Sequence, residues 1–146
     1  MKHKTALTDH LKQISFFSAC TPKELELVSG ASTEVRFGAG DVMAVEGRGG
    51  QELVIIVSGT ARVSIGGREI ATLSAGEAFG EVALLDGGPR TATVTATTDV
   101  VAEVIGHREL EALLLDSPHV ARSLLVGLAR RLRAADVQLA LTSSAV

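Results

Sequence analysis

Glu81 and Arg90 are the residues in this chain whose types and spacing point most directly to chemistry. They bracket a short apolar turn in the run Phe79-Gly80-Glu81-Val82-Ala83-Leu84-Leu85-Asp86-Gly87-Gly88-Pro89-Arg90-Thr91-Ala92. A guanidinium offers a rigid fork of donors that matches phosphate oxygens. A carboxylate only accepts, so it suits a sugar hydroxyl and repels phosphate. Together they imply a ligand that carries both groups, a sugar phosphate. The plain alternative is a salt bridge between Glu81 and Arg90, a common fate for opposite charges close in sequence.

The residues between them are suited to holding the two charges apart. Gly80 has no side chain and lets a ligand come close to the backbone. Residues Glu81 to Leu85 are predicted to form one helical turn, whose first amides lack partners within the helix and attract anions. The Asp86-Gly87-Gly88-Pro89 run ends that turn and brings the chain back, so that Arg90 faces the same pocket from a following loop or strand.

The elements that must position this stretch change character along the chain. Leu7, Leu11, Ile14 and Phe17 fall at helical spacing and predict a short amphipathic helix. A second helix starts at Thr21, an N-cap with Pro22 in the first helical position and Glu24 completing a capping box; Gly30 is its expected stop. From about residue 32 short β-rich runs alternate with glycines: Thr33 to Phe37, Asp41 to Val45, Glu52 to Val57, Thr60 to Ile65, Arg68 to Leu73, Thr91 to Ala96 and Val100 to Ile105. Many short strands with regular turns predict a sandwich or roll. Gly66-Gly67 reads as a tight hairpin turn. Gly47-Arg48-Gly49-Gly50 lacks the Lys-Ser/Thr signature and following helix of a phosphate loop, and is read as turn chemistry. His107 to Asp116 and Pro118 to about Leu141 are predicted helices. In the second, Leu125, Leu128, Leu132, Ala135 and Leu139 form a coiled-coil-like seam, expected either to pack on the β body or to pair with the same helix of a second chain.

Composition narrows the function classes. A chain of 146 residues suits one domain with a real core, here residues 1–146. Residues 31–107 carry five arginines against ten acids, and the chain has no Trp or Tyr, which disfavours nucleic acid as a partner. The later arginines Arg122, Arg130, Arg131 and Arg133 read first as a solvated helix face. No apolar stretch reaches the ~18 to 20 residues of a membrane span, and Thr8, Asp9, His10 and Lys12 interrupt any leader after the basic start, so a cytoplasmic protein is expected. Cys20 is the single cysteine, expected to be a small buried residue. His3, His10, His107 and His119 all lie outside the strand region, so no metal site and no catalytic residue is assigned, and an enzyme is not expected.

The cassette from Phe79 to Ala92 resembles the phosphate-binding cassette of the cyclic nucleotide-binding domain family. Phe37-x-x-Gly40-Asp41-Val42, Glu46-Gly47, Ile56-Val57-Ser58-Gly59 and Leu128-Ala129-Arg130-Arg131-Leu132 are similar to further family landmarks in the expected order. The resemblance implies a mainly β fold with flanking helices. It would be an eight-stranded antiparallel β-roll (a double-stranded β-helix or jelly roll) with N-terminal helices in residues 1–30, a β-roll in 31–106 holding the cassette at 79–92, and hinge and lid helices in 107–146. It implies cAMP, or else cGMP, as ligand and no other cofactor. Glu81 would accept from the ribose 2′-hydroxyl, and Arg90 would grip the exocyclic phosphate. The amides of Val82, Ala83 and Ala92 would complete the cradle, with Gly80 giving room. Thr91 would reach the phosphate or a guanine amino group, and Val63, Ala71 and Leu73 would line the base pocket, with plain core as their other reading. Arg131 matches a stacking lid, with its neighbours Arg130 and Arg133 as alternatives for that role. The expected partners are the nucleotide, an effector protein or domain, and possible homodimerisation through the last helix. Neither nucleic acid nor membrane insertion is expected. The alternative is a β-roll interaction module that no longer binds nucleotide.

Overall fold

Leu53 to Ile56 are apolar at every position, a pattern that suits a strand covered on both faces. The computed structural model, which describes residues 11–144, puts this strand between a layer of helices and a second sheet. Eight strands are formed: β1 (Ser32–Phe37), β2 (Val42–Ala44), β3 (Glu52–Ser58), β4 (Ala61–Ile65), β5 (Arg68–Leu73), β6 (Ala78–Phe79), β7 (Thr93–Ala96) and β8 (Val100–Gly106). They make two four-stranded sheets, ordered β1-β8-β3-β6 and β2-β7-β4-β5, with every pairing antiparallel. The helices among the described residues are α1 (Pro22–Ala31), α2 (Glu81–Asp86), α3 (His107–Asp116) and α4 (Pro118–Ser144), with a 3-10 turn at Ser15–Phe17. This is the β-roll with flanking helices that the resemblance implies.

The two cores follow from the period of two along β3. Leu53 and Ile55 join Phe17, Leu25, Val28, Leu110, Leu113, Val120 and Leu124 beneath the helices. Val54 and Ile56 meet Ala61, Leu73, Phe79, Val94 and Ala102 between the sheets. The cassette is fastened to both. Phe79 is buried between the sheets, while Leu84, five residues on, enters the helical core. The short helix between them is thereby fixed at the seam.

The local signals hold with a few differences. Thr21 and Glu24 form the reciprocal capping box, Thr21 N–H to Glu24 Oε1 at 3.0 Å and Glu24 N–H to Thr21 Oγ1 at 3.2 Å. Gly30 does not stop α1. The helix continues to Ala31, the Ser32 N–H closes it on Val28 O, and β1 starts at once, paired to β8. Leu7 lies outside the described residues. Leu11, Ile14 and Phe17 are buried as their spacing predicts, but through a 3-10 turn, with the Phe17 N–H donating to Ile14 O at 2.9 Å. Gly66 and Gly67 both take positive φ, as a two-residue hairpin turn requires. β7 begins at Thr93 rather than Thr91, because the backbone at Arg90 bonds to the corner at residues 47–48 instead of to a neighbouring strand. β6, only two residues long, had no visible pattern.

The helices meet at one buried carboxylate. Glu24 accepts from the Ser117 hydroxyl, from the His119 N–H at 3.3 Å and, through Oε1, pairs with His119 Nδ1 at 2.6 Å. His119 is thus a structural link between α1 and the α3–α4 junction. Burial alone would raise the Glu24 pKa, but the hydrogen bonds from Ser117, Thr21 and His119 outweigh it and bring it down from 4.5 to about 2. The same burial, helped by the Glu24 charge and opposed by a hydrogen bond with Ser117, pushes Cys20 up to about 11, so the thiol stays protonated and inert.

Most of the seam of α4 does not pack on the β body. Leu125, Leu132 and Leu139 are 67%, 64% and 66% exposed, which corrects the packed reading for all the seam leucines but Leu128, half-buried at the cleft beside the body. The helix stays beside the body as far as Arg131, which still reaches the cassette, and from there to Leu141 every residue is exposed. No single helix among the described residues is long and apolar enough to cross a membrane; α3 and α4 meet both conditions only as a pair bent by 112°.

A group whose folded pKa lies below its ordinary value stabilises the fold fully above that ordinary value, and the contribution fades as pH falls toward the folded one. Replacing Glu24 by Gln should therefore destabilise the protein near neutrality. The gap to the parent should close between about pH 4.5 and 2, as read from urea unfolding at a series of pH values. A gap that stays constant through that window would contradict the Glu24 hub.

Candidate nucleotide site

The cassette keeps two buried charges apart. Gly80 precedes α2 with φ 96°, and Gly87 closes it with φ 73°, its N–H donating to Ala83 O at 3.0 Å. Left-handed backbone at both ends gives a helix of six residues that turns sharply at each side. Glu81 is its first residue and is only 5% exposed, Ala83 is buried and Val82 half-buried. The Asp86 carboxylate accepts from the Gly88 N–H at 2.7 Å and tightens the return toward Arg90.

Arg90 is 8% exposed. Its Nη1 donates to the Glu52 carbonyl at 3.1 Å, and its own N–H and carbonyl bond to Arg48 O and Gly47 N, each at 2.8 Å. Among the described residues no carboxylate lies within ion-pair distance of it. The expected alternative, a Glu81–Arg90 bridge, is therefore not formed. Glu81 pairs instead with Nη1 of Arg131, which crosses from α4 and also donates through Nη2 to the Ala78 carbonyl at 2.7 Å. Arg131, though exposed like Arg122, Arg130 and Arg133, is thus tied to the cassette by two contacts that a freely solvated helix face would not make.

The other expected site residues lie in the loop after Arg90 and on the β4–β5 pair. Thr91 is exposed and Ala92 half-buried, both in the loop after Arg90. Val63 on β4 lies opposite Ala71 on β5, half-buried against exposed. Leu73, opposite Ala61, belongs to the core between the sheets, the plainer of its two readings. A cleft of about 380 Å³ lies between α4 and the Gly76–Ala78 stretch, walled by Phe16, Glu81 and Arg131 but not by Arg90. It lies on the α4 side of the Glu81–Arg131 pair, and Arg90 takes no part in its lining. The sequence reading missed the Gly47–Gly50 corner as a neighbour of Arg90, because nothing local in either segment reports that contact. Among the described residues no cluster of His, Cys, Asp or Glu is arranged to hold a metal.

With this geometry established, the family assignment rests on a model of the cyclic nucleotide-binding domain that matches residues 34–117, more than half of the chain. The chain belongs to the cyclic nucleotide-binding domain family. It is 40% identical over 110 residues to a cGMP-dependent protein kinase of Toxoplasma gondii, covering 75% of this chain and 11% of the kinase. It is 35% identical over 138 residues to the cyclic AMP receptor protein of Thermus thermophilus, covering 91% of this chain and 64% of the relative. The crystal structure of the Thermus thermophilus catabolite activator protein superposes with a TM-score of 0.80 at 35% identity, over 88% of this chain and 62% of that one. The chain therefore spans less than two thirds of the length of each.

The Gly80 turn is the most demanding piece of this site. A Cβ there would overlap both Glu52 O and Arg90 Nη1, and the φ of 96° disfavours any L side chain. Gly80→Ala should cost ~1 to 3 kcal/mol and lower the thermal midpoint by several degrees in calorimetry. An unchanged midpoint would mean that the cassette does not make this turn.

Proposed function

We propose that this chain is a cyclic nucleotide sensor that takes cAMP, with cGMP as the second candidate, and reports occupancy by moving its C-terminal helices. Residues 1–146 are read as one regulatory, cytoplasmic, non-catalytic domain acting on an effector protein or effector domain, without direct contact to nucleic acid or insertion in a membrane. The observation that carries the reading is Arg90. A buried guanidinium has five donors, and among the described residues this one has a single carbonyl acceptor and no counter-ion. A phosphate supplies both the charge and the acceptors.

The roles follow from reach and chemistry. Arg90 binds the exocyclic phosphate, with the amides of Val82, Ala83 and Ala92 around it and Gly80 leaving space. Glu81 accepts from the ribose 2′-hydroxyl, Thr91 meets the phosphate or the base, and Val63 and Ala71 lie on the base side, backed by the core residue Leu73. Arg131 holds the same Glu81 carboxylate from α4, so ribose and Arg131 compete for it. A ligand shifts a conformational equilibrium only through unequal affinity for its two states, and this exchange supplies the inequality. Released from Glu81, the guanidinium is free to stack on the purine face. The cleft beside α4 is the space in which the helix can move.

One observation favours the alternative of an interaction module without nucleotide: the Glu81 carboxylate already has a cationic partner. The exposed stripe of Leu125, Leu132 and Leu139 supports pairing with a second copy. Sedimentation velocity at dimer mass would bear that out, and monomer mass across the micromolar range would exclude it. For the site itself, calorimetric titration with cAMP, cGMP and 5′-AMP should give saturable binding for the cyclic ligands only. Arg90→Ala should weaken cAMP by at least ~2 kcal/mol, about thirtyfold. Absence of binding by any nucleotide would favour the interaction module, and an unchanged affinity in the variant would remove Arg90 from the site.

A further inference from the structure

The Gly47–Gly50 corner is built around Arg90. The Gly47 N–H donates to Arg90 O, the Arg90 N–H donates to Arg48 O, and just before the corner the Glu46 N–H donates to Thr93 Oγ1 at 3.0 Å. On the other side the Glu52 carbonyl receives the guanidinium. Gly50 lies between these attachments. A Cβ at Gly50 would overlap Arg90 Nε and come within 2.9 Å of Cζ and Nη2, closer than carbon atoms tolerate.

Gly50 has no positive φ, so any L residue fits its backbone conformation. The three atoms that a Cβ there would meet first all belong to the far end of a flexible arginine. Gly49, next to it in the same corner, has nothing within 4 Å of a Cβ and likewise no positive φ. Gly80 also touches the guanidinium but combines that contact with a left-handed turn and a backbone clash. Gly50 therefore isolates one effect, the position of the guanidinium, from the stability of the fold.

We propose that Gly50 is a positioning residue of the phosphate site, whose missing side chain lets the Arg90 guanidinium lie back against the Glu52 carbonyl with its remaining donors presented to an anion. A methyl group at position 50 pushes the fork off that seat and out of register with the phosphate oxygens. This inference rests on the reading of Arg90 as the phosphate ligand.

The test compares Gly50→Ala and Gly49→Ala in the whole chain, and repeats Gly50→Ala in an Arg90→Ala background. Gly50→Ala should weaken cAMP roughly tenfold, the scale of a disturbed charged hydrogen bond, with a thermal midpoint close to the parent. Gly49→Ala should bind as the parent does. In the Arg90→Ala background the methyl group has room, and the substitution at 50 should add no further loss, which separates positioning from a general effect on the loop. The Arg90 Nε–H resonance in NMR spectra without nucleotide should move in Gly50→Ala and stay in Gly49→Ala. Equal losses at 49 and 50, full additivity with Arg90→Ala, or an unmoved Nε–H resonance would overturn the proposal. If the parent binds no cyclic nucleotide while that resonance still moves, the nucleotide reading fails and the placement of the guanidinium by Gly50 stands.

Discussion

Two opposite charges nine residues apart, both buried, are kept from neutralising each other, and much of this structure can be read as the means of doing so. If Glu81 met Arg90, neither would have a reason to meet a ligand. The six-residue helix with a left-handed glycine at each end faces Glu81 toward α4. The glycine corner and the Glu52 carbonyl hold Arg90 on its own side. Burying a charge without a full set of partners is costly. The two cores, one between the sheets and one beneath the helices, provide the rigidity that keeps the arrangement from relaxing into a salt bridge. Phe79 and Leu84 fasten the cassette to one core each.

The same separation connects the site to the C-terminal helices. α4 touches the cassette through Arg131, at Glu81 and at the Ala78 carbonyl, and its first turn is tied through Ser117 and His119 to Glu24 on α1. One end of the helix is therefore anchored in a buried polar cluster. The other carries an apolar stripe away from the body. Under the proposed exchange at Glu81, the change reaches a helix that is held at its base and exposed throughout its outgoing half beyond Arg131, a mechanical form that suits a sensor. The exposed leucines give the outgoing half of the helix a surface on which a second chain or an effector can read its position.

What the sequence made legible was local or carried by a pattern. The capping box at Thr21 and Glu24, the Gly66-Gly67 turn and the ends of β5 and α3 follow from residues within a few positions of one another. The cassette was visible because a helix start, a turn and two opposite charges fall in one short run, and the β-roll because that run and several other landmarks resemble one family. The contacts that were not legible join distant segments. The Gly47–Gly50 corner looked like an ordinary turn, since its fit to Arg90 depends on a fold that brings β3 and the cassette side by side. Periodicity could not choose which of the arginines on α4 would reach Glu81, nor show that Glu24 would answer both its own helix cap and His119, 95 residues away. The outward seam of α4 has the same apolar pattern whether it meets the body or another chain, so only its exposure showed that most of it does not lie on the body.

The claim on which the rest turns is that ribose and Arg131 contend for one carboxylate. It can be measured by comparing cAMP with 2′-deoxy-cAMP on the parent protein and on Arg131→Ala. In the parent, losing the 2′-hydroxyl is partly offset because Arg131 keeps Glu81. In the variant nothing offsets it, so the hydroxyl should be worth roughly fivefold more affinity there, on the scale of one charged hydrogen bond. Equal ratios of the two affinities in both proteins would mean that Arg131 and the ribose do not share Glu81, and that the movement of α4 must have another origin.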